Sequence, residues 1–145
     1  MLWKQSETNI WVAGHRGNPA EAPENTMASF RNAMEAGLDM IELDIQMSGD
    51  GELVIMHNLT VDQTTDGTGA IREMTLKEIR SLDAGCRFHE EYRGEKVPLF
   101  EEFLELTKEY PDMLYDFELK EYPVAGNERR AYETADRVTA LIEEY

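Results

Sequence analysis

A single cysteine, Cys86, in a chain of 145 residues leaves no possibility of an internal disulfide, and nothing here points to an oxidising compartment. Basic residues are scarce: 14 Lys and Arg stand against 30 Asp and Glu, for a formal net charge of -16. That balance argues against a large footprint on nucleic acid or on an anionic membrane. An anionic substrate would therefore need local help, from a metal ion or a few well-placed cations. No run is long and apolar enough to span a bilayer. The segment from Met1 to Ile10 mixes Lys4, Gln5, Ser6, Glu7 and Asn9 with few apolar residues, so it is not a signal h-region. Internal repeats and low-complexity tracts are missing too. These absences make a soluble cytoplasmic protein the expectation, with no nucleic-acid partner and no stable membrane anchor. The length is that of one domain with a core of its own.

What is there is a set of apolar runs that end in charged or imidazole groups. Ile10 to Gly14 reads as a strand running into His15-Arg16-Gly17. A Pro-rich loop from Asn18 to Glu24 follows, and Asn25 is placed to cap a helix with Met27, Phe30 and Met34 at helical spacing, ended by Gly37. Met40 to Met47 alternates, with Ile41, Leu43, Ile45 and Met47 on one face and Glu42, Asp44 and Gln46 on the other, which completes a β-α-β unit. The turn Ser48-Gly49-Asp50-Gly51 leads into Leu53 to Met56 and His57. A hairpin that pairs Met47 with Glu52 sets His57 across from Glu42, about 5 Å away at Cβ.

From Leu59 to Arg93 the chain is loop-rich, with one short helix opened by a capping box at Thr75 and Glu78 that buries Leu76, Ile79 and Leu82. A helix after Pro98 carries Phe100, Phe103 and Leu104 and stops before Pro111. Met113 to Lys120 is a further strand with Asp116, Glu118 and Lys120 on one face. An amphipathic helix with Ala135, Val138, Leu141 and Ile142 comes last.

Parallel strands covered by helices read as near-continuous apolar runs, so acids planted in them need a reason. Glu42 and Asp44 leave the same face about 7 Å apart at Cα, close enough to grip one hard cation, and Glu118 supplies a third oxygen if its strand lies alongside. Three carboxylates without a nearby cysteine favour Mg²⁺ or Ca²⁺ over zinc. His15 and His57 suit a general base and a general acid on opposite sides of a reacting phosphorus. Arg16 and Lys120 suit the non-bridging phosphate oxygens. Each feature has a plainer reading: a strand-end histidine is more often structural, and an alternating E-x-D is usually the solvated face of an antiparallel sheet. Their co-occurrence at four strand ends, where a barrel keeps its active site, is what favours chemistry. His89, among Glu90, Glu91 and Arg93, is assigned to the surface, as are Glu101-Glu102 and Glu143-Glu144.

Taken in order, His15-Arg16-Gly17, Pro23-Glu24-Asn25-Thr26, Glu42-Leu43-Asp44, Asp50-Gly51, His57-Asn58, Thr64 to Gly69 and Glu118-Leu119-Lys120 closely resemble the glycerophosphodiester phosphodiesterase family. The resemblance runs from about Val12 to Lys120. It implies an α/β fold of TIM-barrel type, as in phospholipase C-like phosphodiesterases, and hydrolysis of a small-molecule glycerophosphodiester to glycerol 3-phosphate and an alcohol. It further implies Glu42, Asp44 and Glu118 as ligands of one divalent cation, His15 and His57 as the acid/base pair, and Arg16 and Lys120 as phosphate contacts. The resemblance also implies that residues 59 to about 98 are the small insertion such enzymes carry beside the barrel.

Two departures stand out. The family usually has Asp directly after the second histidine, where this chain has Asn58; an amide accepts a hydrogen bond but supplies no charge. A TIM barrel also needs about 250 residues and eight strands, whereas this chain supplies three or four, so a single partial barrel over residues 1–145 is expected. Its open edges are expected to favour self-association. Two alternatives to glycerophosphodiester hydrolysis remain open. One is phospholipase-like cleavage of a lipid diester; the other is a catalytically incomplete half-barrel serving as a binding or assembly module, or as a piece of a longer parent.

Overall fold

The computed structural model describes residues 10–145, so the polar segment before Ile10 lies outside the described residues. Its elements in chain order are β1 (Ala13–His15), α1 (Met27–Glu35), β2 (Met40–Met47), β3 (Leu53–Ile55), α2 (Leu76–Ser81), α3 (Phe100–Thr107), β4 (Leu114–Leu119) and α4 (Glu128–Glu144), with short 3-10 turns between β3 and α3. β2 is the organising strand, parallel to β1 and β4 and antiparallel to β3. Alternate carbonyls of a strand point to opposite edges, and the bonds of β2 follow that rule. Glu42 O and Asp44 O accept from Arg16 N and Met56 N, while Asp39 O and Ile45 O accept from Leu114 N and Lys120 N. β1 and β3 therefore occupy successive stretches of one edge of β2, and β4 takes the other. Among the described residues β4 pairs with β2 alone, which leaves the sheet open.

The apolar face of β2, Ile41, Leu43, Ile45 and Met47, carries the main core. Phe30, Ala33 and Met34 of α1, Phe100, Phe103 and Leu104 of α3 and Val138 of α4 pack on it. Aromatic rings meet edge to face, Phe30 on Phe103 at 4.8 Å and Phe100 on Phe117 at 5.0 Å, an arrangement that suits their quadrupoles. A second, smaller core of Val54, Met56, Val61, Ile71, Ile79, Ala84 and Val97 lies under the loop-rich segment, with Leu76 and Leu82 packed against it. The capping box of α2 is present, Thr75 Oγ1 accepting from Glu78 N and Glu78 Oε2 accepting from Thr75 N.

Three expectations are corrected. The strand expected from Ile10 starts at Ala13, where pairing with Met40 of β2 begins, and Ile10, Trp11 and Val12 before it are exposed. Thr26, not Asn25, caps α1, its hydroxyl accepting from Ser29 N. The hairpin is one residue out of the expected register, Met47 pairing with Leu53. The cause is burial: this register puts Leu53 and Ile55 into the main core beside Met47 and Ile45, where the other would have placed Glu52. The pairing of His57 with Glu42 is thereby lost. The last helix, α4, follows β4 in the chain. It folds back over the hairpin, Arg130 donating to Met47 O and Arg137 to Gly51 O, and buries Ala131, Thr134 and Val138 while Ile142 stays exposed.

Tyr115 ties β4 to the turn before it, its hydroxyl donating to Tyr110 O at 3.0 Å. Burial first, and then the neighbouring Tyr110, push its phenol up to about 12. A group raised in the folded state stabilises fully below its unfolded value of about 10 and loses that contribution as pH climbs to the folded value. Tyr115→Phe should therefore make the fall in stability between pH 10 and about 12 shallower, read from urea midpoints at pH 9 and 11.

Candidate active site

Register brings the polar groups together. In the parallel ladders His15 pairs with Glu42, and Asp44 pairs with Glu118, so even-numbered residues of β2 and β4 share the face opposite the main core. One ligand atom from each of Glu42, Asp44 and Glu118 lies within 4.8 Å of the others. Asp44 is fully buried and has three partners. Lys120 Nζ lies 2.8 Å from Oδ1, Asn25 Nδ2 donates to Oδ2 at 2.7 Å, and Arg16 Nε stands 3.6 Å from Oδ2. Lys120 also reaches Glu118 Oε1 at 2.7 Å, and that carboxylate is nearly half exposed.

The electrostatics of the cluster are uneven. Burial, and then the charge of Asp44, raises the Glu42 carboxyl above its ordinary value, against the hydrogen bond it accepts from Arg16 N at 3.0 Å. The Lys120 ammonium holds Glu118 below its ordinary value, helped by the Tyr122 hydroxyl at 3.0 Å and by the nearby charge of His57. Burial pulls Lys120 down, but Asp44 and Glu118 outweigh it and its net shift is upward. Crowded carboxylates with one member resisting ionisation are a setting that a divalent cation relieves. The donor set is all oxygen, which suits a hard ion. A spread of up to 4.8 Å equals about twice a Ca²⁺–oxygen distance, and Mg²⁺, at about 2.1 Å from its ligands, would draw the set closer.

The two histidines differ. His15 is exposed, with Nε2 3.8 Å from Glu42 Oε2. His57 is half-buried, and its Nδ1 is 3.1 Å from Asn58 Oδ1. On its other side the Asn58 amide donates to Gln63 Oε1 at 3.1 Å. Arg16 sits at a left-handed φ of 60° and binds Glu24 Oε1 through Nη1 at 3.0 Å. The turn depends on Gly17, since a Cβ there would lie 2.4 Å from Ser29 Oγ at a φ of +88°. His89 stands apart from the cluster, exposed and paired with Glu91.

Three side chains escaped sequence reasoning. Asn25, read as a helix cap, turns its amide inward to Asp44 from a left-handed φ of 56°. Glu24 holds the Arg16 guanidinium. Gln46 lies on the same face as Glu42 and Asp44 and is buried, its amide engaged beside His57. Its alternation with the two acids was the available signal.

A partial α/β barrel with its polar cluster at the carboxyl ends of parallel strands has the architecture of TIM-barrel enzymes. Residues 15–144 match the glycerophosphoryl diester phosphodiesterase family, and the chain belongs to it. Over 109 residues it is 48% identical to a glycerophosphodiester phosphodiesterase of Caldanaerobacter subterraneus subsp. tengcongensis, which covers 75% of this chain and 44% of that protein. A phosphodiesterase of Oleispira antarctica in complex with the product sn-glycerol-3-phosphate superposes with a TM-score of 0.84 at 36% identity, over 92% of this chain and 52% of that one. A glycerophosphodiester phosphodiesterase of Thermotoga maritima gives 0.72 at 27% identity, over 95% and 52%. The chain thus spans about half the length of these relatives, and its sheet is a partial version of their barrel.

Proposed function

We propose that this chain carries the metal and phosphate side of a site that hydrolyses glycerophosphodiesters to glycerol 3-phosphate and an alcohol. The observation that carries the reading is the convergence of Glu42, Asp44 and Glu118 with Lys120 and Arg16 on one face of the sheet. The product bound by the Oleispira relative supports the substrate class. In this reading the three carboxylates hold one divalent cation, Mg²⁺ or Ca²⁺. When bound, such an ion neutralises charge developing on the phosphate oxygens. Arg16 and Lys120 contact the non-bridging oxygens, the first as a fork and the second as a point charge.

His15 and His57 move the protons. The substrate's free glycerol hydroxyl gives its proton to one imidazole and attacks phosphorus, while the other imidazole protonates the departing alcohol. Water then opens the cyclic phosphate with the two roles reversed. The contact of His57 Nδ1 with Asn58 Oδ1, which orients the ring, supports its part in this exchange. Residues 59–98, with the second core, would form the insertion of a single partial-barrel domain over residues 1–145.

A cleft beside Lys120, bordered by the exposed Leu59, Tyr122 and Val124, favours a second reading in which the diester bears an apolar chain. Turnover of glycerophosphocholine and of a lysophospholipid, each with Mg²⁺, with Ca²⁺ and with excess EDTA, separates the two. Metal-dependent release of glycerol 3-phosphate from the first supports the main reading. Preference for the lipid supports the second, and no turnover of either leaves a half-barrel acting as a binding module. The free edge of β4 further suggests pairing with a second copy of the chain. Sedimentation at micromolar concentration should then give a dimer mass, and a monomer mass would refute the pairing.

A further inference from the structure

β3 ends at Ile55, yet the backbone on either side of His57 remains bonded to the strand that bears Glu42 and Asp44. The bonds that hold it there come from β2. Met56 N donates to Asp44 O at 2.9 Å. The Gln46 amide, 2% exposed, donates both of its Nε2 hydrogens, one to Met56 O at 2.7 Å and one to Asn58 O at 2.7 Å. Those carbonyls bracket His57 in the chain. We propose that Gln46 is the positioning residue for His57, fixing the backbone on both sides of the imidazole to the strand that carries Glu42 and Asp44.

The side-chain chemistry allows little else at this position. Two converging carbonyls need a neutral group with two donors at that reach. Glutamate presents only acceptors and would be repelled, an aliphatic chain strips this donor from the buried Met56 carbonyl and the part-buried Asn58 carbonyl, and asparagine falls one methylene short. Asn58, whose carbonyl Gln46 holds, is also the residue whose Oδ1 faces His57 Nδ1. The same amide therefore orients the ring's partner as well as the ring. Gln46 touches no reacting atom in this scheme, and it acts through His57.

The inference rests on the proposed role of His57, so its test needs a readout that does not require turnover. In protein labelled with ¹³C and ¹⁵N at histidine, Gln46→Met keeps the volume and removes both donors. It should shift and broaden the His57 ring resonances while leaving those of His15 and His89 in place. Gln46→Glu, nearly isosteric, should do the same and serves if the first variant folds poorly. Where wild type turns over, each variant should lower kcat about tenfold with KM within about twofold, and should add nothing in a His57→Ala background. Unmoved His57 signals would overturn the proposal, and so would equal movement of all three histidines, the mark of a general loosening. Absence of turnover in wild type would count against the phosphodiesterase reading alone, because the resonance test still decides the role of Gln46.

Discussion

Replacing Asp44 with alanine should abolish divalent-cation binding and lower the stability of the fold by about 3–5 kcal/mol, the usual cost of stranding one partner of a buried ion pair. The residue is fully buried, and its loss leaves Lys120, 9% exposed, with Glu118 as its one carboxylate partner within 2.8 Å. Asn25 Nδ2 loses its acceptor as well. Urea midpoints and Mg²⁺ titration calorimetry read the two effects. The double variant Asp44→Leu with Lys120→Met removes both charges, so it should recover much of the stability and none of the cation binding. Glu42→Gln is the milder companion: burial already disfavours ionisation of Glu42, and the neutral isostere should weaken the cation by tenfold or more at little cost to the fold. Unchanged cation affinity in either variant would mean that the cluster is not a metal site.

The second large effect concerns the imidazoles. His15→Ala and His57→Ala should each lower the rate by about 10² to 10⁴, and the double variant should lose much less than the product of the two. The side chain of His15 is 68% exposed, so its truncation should leave the circular dichroism spectrum and the melting point unchanged. Truncation of His57 frees Asn58 Oδ1 from its partner without disturbing the backbone bonds from Gln46. Wild-type rates in either single variant, with the fold intact, would assign that histidine a structural part only.

The local elements were legible because their causes are local. The alternation of Met40 to Met47 marks β2 to the residue, the capping box marks the start of α2, and Phe100, Phe103 and Leu104 mark the buried face of α3. The candidate ligands were legible for the same reason, since Glu42 and Asp44 share a face by strand geometry alone. Hairpin register was not: the turn admits two pairings one residue apart, and the choice follows from which of Glu52 and Leu53 the distant helices α1 and α3 can cover. Asn25 was misread because a short polar residue before a helix is a natural cap. Its actual partner, Asp44, lies 19 residues away, with no local trace.

By itself, then, the sequence determined the strand and helix faces and the polar residues at the strand ends, all set by spacing within a few residues, and its ordered motifs carried the family resemblance. The tertiary structure alone decided that Asp44 and Glu118 are neighbours, through the parallel pairing of β2 with β4 across some 70 residues of chain. It also decided that α4 folds back over the hairpin, because Val138 finds the existing core there and Arg130 and Arg137 find its open carbonyls. And it decided that the backbone on both sides of His57 is bonded to Gln46 of β2, since the carbonyls of Met56 and Asn58 lie beyond the end of a strand and must find donors wherever the fold brings one.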